Sequence, residues 1–220
     1  GTGGNEKPVR EYLEPILKDL MDDVKIDDYG NLLADKKVGN GNGATIILSA
    51  HMDTVKGVLS DRKLIETEDG VIKSNKGALG ADDRAGIAII LTVLRNLHKL
   101  SFNGHIKVSF SREEEIGCVG ASKIDMDWYK DADLAIVVDR RGNRDIVVGC
   151  GMAFCSDSVA HFMEDVSKMA DMDWEAVEGG ISDAMVFAEG GVNSINLSAG
   201  DYNEHTAYEY VVLDEMRDTV

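Results

Sequence analysis

The chain reads as an α/β protein of three layers, with helices on both faces of a central mixed, mostly parallel sheet. First, short apolar runs with strand character alternate with stretches of helical periodicity along most of its length. Second, polar or Gly-rich residues break into the apolar runs of ATIILSAHMDTV, GALGADDRAGIAIIL, IKVSFSREEEIGCVGA, ADLAIVVDRRGN and SINLSAGDYNEHTAYEYV, which gathers their polar groups at one end of a sheet. Third, 220 residues with 44% apolar content suffice for one domain with a full core, and no internal repeat or low-complexity linker divides them.

The elements follow in order. Over residues 7–22, Val9, Leu13, Ile16, Leu17 and Leu20 recur at helical spacing, with only Pro15 opposing a helix. Residues 24–26 and 32–34 are short strands around Asp-Tyr-Gly-Asn, whose Gly and Asn suit a reversal. A Gly-rich loop over 39–43 precedes a strand over 45–50, and a hairpin over 63–74 turns around Glu68, Asp69 and Gly70 as a side feature. Residues 83–100 form a long apolar helix, 106–110 and 134–138 strands, 156–170 a helix, 181–188 a short helix and 192–197 a last strand.

Composition narrows the function classes. Against 23 basic residues stand 40 acidic ones, and a net charge of −17 argues against nucleic acid or an anionic membrane as partner. No apolar run approaches the roughly 18 residues of a membrane span, and no charged start with an apolar h-region marks secretion. The three cysteines, Cys118, Cys150 and Cys155, form an odd set without Cys-x-x-Cys spacing, which favours a reducing cytoplasm over a disulfide scaffold.

Open sheets bind ligands beyond the carboxyl ends of their strands, where these segments deliver their polar groups. His51 is a candidate metal ligand, and Asp53 is spaced to take its second ring nitrogen's hydrogen and fix the tautomer; a strand-end His capped by a carboxylate is the plainer alternative. Asp83 suits a helix cap, and Asp82, one residue earlier, is placed to bridge two cations. Three consecutive Glu residues end the next strand, and a dication would relieve their repulsion, with one Glu ligating and its neighbour free to take a proton from water. Asp139 fits either a ligand or an ion pair with Arg140 or Arg141, and His205 lies in a polar loop beside Glu204 and Glu209. Jointly, imidazole and carboxylate donors in this mixture suit zinc, manganese or cobalt far better than calcium.

The motifs SAHMDTV, GALGADDRAGIA, REEEIGCVGA, VVDRRG, GGISDAMVFAEGG and NEHTAYEYV, in this order, resemble the co-catalytic two-metal aminopeptidases. The same group takes in peptidase-T-like tripeptidases and the related carboxypeptidase-G-type peptidases and amino-acid deacylases. The resemblance implies a zinc-peptidase-type fold and a pair of divalent ions, zinc foremost with cobalt or manganese as alternatives. It implies one ion on His51, Asp82 and Asp139 and the other on Asp82, Glu115 and His205, with Glu114 as general base and Asp53 orienting His51. It also implies a cis peptide between Asp82 and Asp83. Many relatives insert a lid or dimerisation domain, whereas residues 140–183 leave room only for core elements, so 1–220 is expected to be a single catalytic domain without one. That leaves the oxyanion donor open among Tyr202, Tyr208 and a metal. The implied reaction is hydrolysis of a peptide bond near a free amino terminus, with N-acyl amino-acid deacylation or carboxypeptidase-like action as alternative. A silent peptide-binding module is the reading from another class. The expected partner is a short peptide or an acylated amino acid, and oligomer formation stays open.

Overall fold

The computed structural model describes all 220 residues. Helix α1 (Lys7–Leu20) carries Pro8 in its first turn, where a missing N–H costs nothing, and tolerates Pro15 because its apolar stripe buries Leu13 and Leu17. It stops two residues short of the expected end, since Met21 turns extended to lead into β1 (Asp23–Ile26). The reversal into β2 (Leu32–Val38) is held by Asp27, whose carboxylate accepts from the backbone N–H of Tyr29, Gly30 and Asn31.

At the centre of the main sheet, β3 (Thr45–His51), β6 (Gly104–Ser111), β7 (Leu134–Arg140) and β10 (Ser194–Ser198) run parallel. With β8 (Asp145–Gly149) and β9 (Glu175–Glu178) the sheet has eight strands, in the order β1-β2-β6-β3-β7-β10-β8-β9. Pairing is antiparallel at β1–β2, β2–β6 and β8–β10 and parallel elsewhere, so the sheet is mixed and mostly parallel.

Strand alternation sends neighbouring side chains to opposite faces. Leu48 and Ala50 of β3 and Val138 of β7 join the larger core under α1 and α2 (Ala81–Asn96). Ile47, Ala135 and Val137 point the other way, to Trp128 and Tyr129 of α3 (Met126–Tyr129) and to Ala184 and Phe187 of α5 (Asp183–Glu189). Against a smaller cluster of Ile146, Trp174 and Ile195 packs the partly buried Met163 of α4 (Asp157–Met169). Each fully buried Leu, Ile or Phe in these cores contributes about 1.5–3 kcal/mol.

The hairpin of β4 (Leu64–Glu66) and β5 (Val71–Ser74) is not a side feature. It joins β11 (Asp201–Tyr202) and β12 (Tyr210–Val212) in a second, antiparallel sheet, in the register Tyr210 to Lys73 and Val211 to Ile72. Helix α6 (Leu213–Asp218) follows directly. The sequence reading does not anticipate β8, β9, β11, β12, α3 or α6, which are short and depend on distant partners. No helix is long and apolar enough to cross a membrane.

Candidate metal centre

The carboxyl ends of β3, β6, β7 and β10 share one edge of the sheet, and the polar groups collect there. His51 ends β3 and is 1% exposed. Its Nδ1 lies 3.3 Å from Asp53 Oδ1, while Nε2 lies 2.8 Å from Asp82 Oδ1 and 3.4 Å from Asp139 Oδ1. Asp53 thus faces the ring nitrogen that sets the tautomer, and two carboxylates face the other.

Asp82 stands just ahead of the regular part of α2; its φ/ψ and those of Asp83 are non-helical, and the peptide between them is cis. Asp83 caps the helix, accepting from Gly86 N–H at 2.9 Å and from His51 N–H at 3.1 Å. The Asp82 carboxylate is left to face two imidazoles, with Oδ2 2.9 Å from His205 Nε2. His205 Nε2 is also 2.8 Å from Glu115 Oε2, and the second oxygen of Glu115 is buried without a partner.

Two groups of donors result, His51 with Asp82 and Asp139, and Asp82 with Glu115 and His205. In each, the donor atoms lie within 4.8 Å of one another, and Asp82 belongs to both. An imidazole and two carboxylates in each group, with one Glu115 oxygen buried and unpartnered, fit a pair of zinc-class dications.

Glu114 belongs to neither group. Its Oε2 is 3.8 Å from His51 Nε2 and its Oε1 accepts from the Cys118 thiol at 3.4 Å. Of the three consecutive glutamates, Glu113 leaves the site: with φ at 54° it turns its carboxylate to the Tyr29 hydroxyl. Asp53 fixes the other two, accepting from Glu114 N–H at 2.9 Å and Glu115 N–H at 3.3 Å.

The buried acids and imidazoles hold one another away from their ordinary titration ranges. Burial, then Asp139, pushes Glu114 up to about 9; burial, then Asp82, pushes Glu115 up to about 7; and burial lifts Asp139 to about 7. A hydrogen bond to Asp82 raises His205 to about 9, and His51 is raised well above its usual value because Asp139, Asp53 and Asp82 overcome its burial. Burial works against the charge of Asp82, yet His205 and His51 hold its carboxyl well below the usual range.

Several residues that shape the centre escape sequence reasoning. Glu209 is 2% exposed and its carboxylate accepts from the backbone N–H of Gly80, Ala81 and Asp82 at 2.8, 2.6 and 3.2 Å. Asn196 Oδ1 accepts from Asp139 N–H at 2.9 Å. Asp201 is buried nearby and lifted to about 7 by burial and by Asp82. Asp183, in the GGISDAMVFAEGG motif but given no role by the sequence, is buried behind Glu114, and Ser182 caps α5 by accepting from Ala184 N–H. Tyr202 donates to Glu215 at 2.7 Å and stacks on Tyr210, which commits its hydroxyl away from the donor groups, while Tyr208 is 83% exposed. The groups open onto a cavity of about 490 Å³ in which Ile181 is the one hydrophobic side chain.

A family model described as M42 glutamyl aminopeptidase matches residues 56–220. The chain belongs to this peptidase family. Asp82, Glu114, Glu115, Asp139 and His205 fall inside the match, and His51 and Asp53 lie just ahead of it. Peptidase T of Geobacillus kaustophilus is 30% identical over 173 residues, covering 63% of this M42 chain and 42% of that protein. The chain spans about two fifths or less of the length of the first curated relatives it matches. Among solved structures, aminopeptidase PepT from Bacillus cereus aligns with a TM-score of 0.90 at 19% identity, over 100% of this chain and 91% of that one. The TET1 peptidase of Pyrococcus horikoshii aligns at 0.74 with 17% identity, over 99% and 92%. Both share the three-layer α/β/α fold.

Proposed function

We propose that this M42 family member is a two-metal aminopeptidase or tripeptidase that cleaves short peptides at a free amino terminus. The observation that carries the reading is the pair of donor groups sharing Asp82, with Glu114 beside them and committed to neither. His51, Asp82 and Asp139 would hold one ion and Asp82, Glu115 and His205 the other, zinc foremost with cobalt or manganese as alternatives. A bound pair supplies Lewis acidity toward the scissile carbonyl and a nucleophile at neutral pH.

The chain's own residues do the rest. Glu114 takes the proton of the attacking water and returns it to the leaving amine, a role that its place beside both donor groups, committed to neither, suits. Asp53 keeps His51 in one tautomer and, through the amides of Glu114 and Glu115, holds base and ligand in register. Residues 1–220 act as a single catalytic domain without an inserted lid, a reading supported by β8, α4 and β9, core elements that fill about half of the stretch between Arg140 and Asp183. A cytoplasmic setting agrees with three free cysteines.

The test supplies one peptide with a free and with an acetylated amino terminus to protein reconstituted with zinc, and separately with cobalt, and follows released amino acids by mass spectrometry. Loss of the first residue from the free peptide alone is the expected result. Reaction of the acetylated peptide alone would replace this reading with a deacylase, and silence from both would favour a binding module.

A further inference from the structure

Behind Glu114 lies a third set of donors that neither ion group uses. Glu114, Cys118 and Asp183 each offer an atom within 4.8 Å of the others. The turn after β6 brings Glu114 and Cys118 together, with Cys118 N–H bonded to the Glu114 carbonyl at 2.9 Å and its thiol at 3.4 Å from Glu114 Oε1. Asp183 enters from the first turn of α5 and is 1% exposed. Its Oδ2 accepts from Ser111 Oγ at 2.5 Å, and its Oδ1 is buried with no partner.

An unpartnered buried carboxylate oxygen is costly unless a cation or donor meets it. Donors bound to one tetrahedral ion at about 2.0 Å for oxygen and 2.3 Å for sulfur stand roughly 3.5 Å apart. The sulfur-to-Glu114 distance of 3.4 Å already matches that spacing. Two carboxylates and one sulfur form a softer set than either group sharing Asp82, which holds no sulfur. Glu114 lines the cavity, which gives an ion a way in.

We propose that Glu114, Cys118 and Asp183 form a separate cation site that takes a thiophilic dication of the zinc–cadmium class and thereby withdraws Glu114 from proton transfer. On binding, the Cys118 S–H bond breaks, its proton leaves to solvent and a sulfur–metal bond forms, with no change of oxidation state. Excess metal then inhibits an enzyme that a first pair of ions activates. The inhibitory half rests on Glu114 being the base; the binding half does not.

The experiment titrates zinc-reconstituted protein with cadmium and reads three signals: cadmium and zinc retained after gel filtration, thiolate-to-cadmium ultraviolet absorption, and peptide turnover. The expected result is one added cadmium with zinc retained, a thiolate band, and turnover lost in step with the band. Cys118→Ala and Cys118→Ser should lose the band and the added ion, and whatever turnover they keep should need on the order of 10- to 100-fold more cadmium for half-inhibition. The double variant C150A/C155A should behave like the parent. A band that survives in both Cys118 variants, or never forms in the parent, overturns the site; a band with undiminished turnover overturns the withdrawal of Glu114. If no peptide is turned over at all, the band and the cadmium count still decide the site.

Discussion

Two adjacent glutamates on one turn meet different surroundings. Glu115 meets His205 and Asp82, whereas Glu114 meets Cys118, with His51 at 3.8 Å. Glu114→Ala should therefore lower kcat by about 10²- to 10⁴-fold, the usual contribution of a positioned general base, while metal content stays at that of the parent. Kinetics and metal analysis on the same preparation check it; loss of metal instead would show that the two glutamates had been assigned the wrong way round. The three acids of this run are indistinguishable as residues in the sequence. What separates them is the positive φ at Glu113, which turns that side chain to Tyr29, and the two amide bonds to Asp53, which aim the others inward.

At the scale of elements, strand ends are what a sequence displays best. His51, Glu114, Glu115 and Asp139 are legible because each follows or ends an apolar strand of the parallel centre, and the polar end of such a strand has one place to go. The turn before α2 is different. Its three amides are gathered by Glu209, 127 to 129 residues away, and nothing local to either segment announces the pairing. The same distance hides the second sheet, in which β12 adds to the hairpin and delivers Glu209 from its amino-terminal side. Glu209→Gln keeps the shape but sets an amide group against three N–H donors, and should cost about 1–3 kcal/mol of stability. Because those amides precede and include Asp82, metal affinity should fall as well, by roughly 10- to 100-fold, as for other partners that orient a ligand. Thermal denaturation with and without metal separates the two effects; an unchanged metal affinity would mean that the turn holds its shape without Glu209.

For the molecule as a whole, the carboxylates and imidazoles gathered at one sheet edge tie stability to pH. Without ions, Glu114 titrates near 9 against an ordinary 4.5, and His205 near 9 against 6.5. Both bind protons more tightly folded than unfolded, so both stabilise the metal-free fold at low pH, and that contribution is lost as pH rises toward 9. Asp82 and Asp53 are shifted the other way, downward, so the stability they add disappears only as pH falls below the ordinary carboxylate range, outside this window. Metal needs the deprotonated ligands and displaces the protons, so its affinity rises over the same interval in which the metal-free fold weakens. The gap in Tm between metal-loaded and chelator-treated protein should therefore widen steadily from pH 6.5 to 9. Calorimetry of metal uptake in buffers of different ionisation enthalpy should register net proton release that shrinks toward the upper end. A gap that narrows across this range would mean that the cluster holds its charge by some arrangement other than the two groups meeting at Asp82.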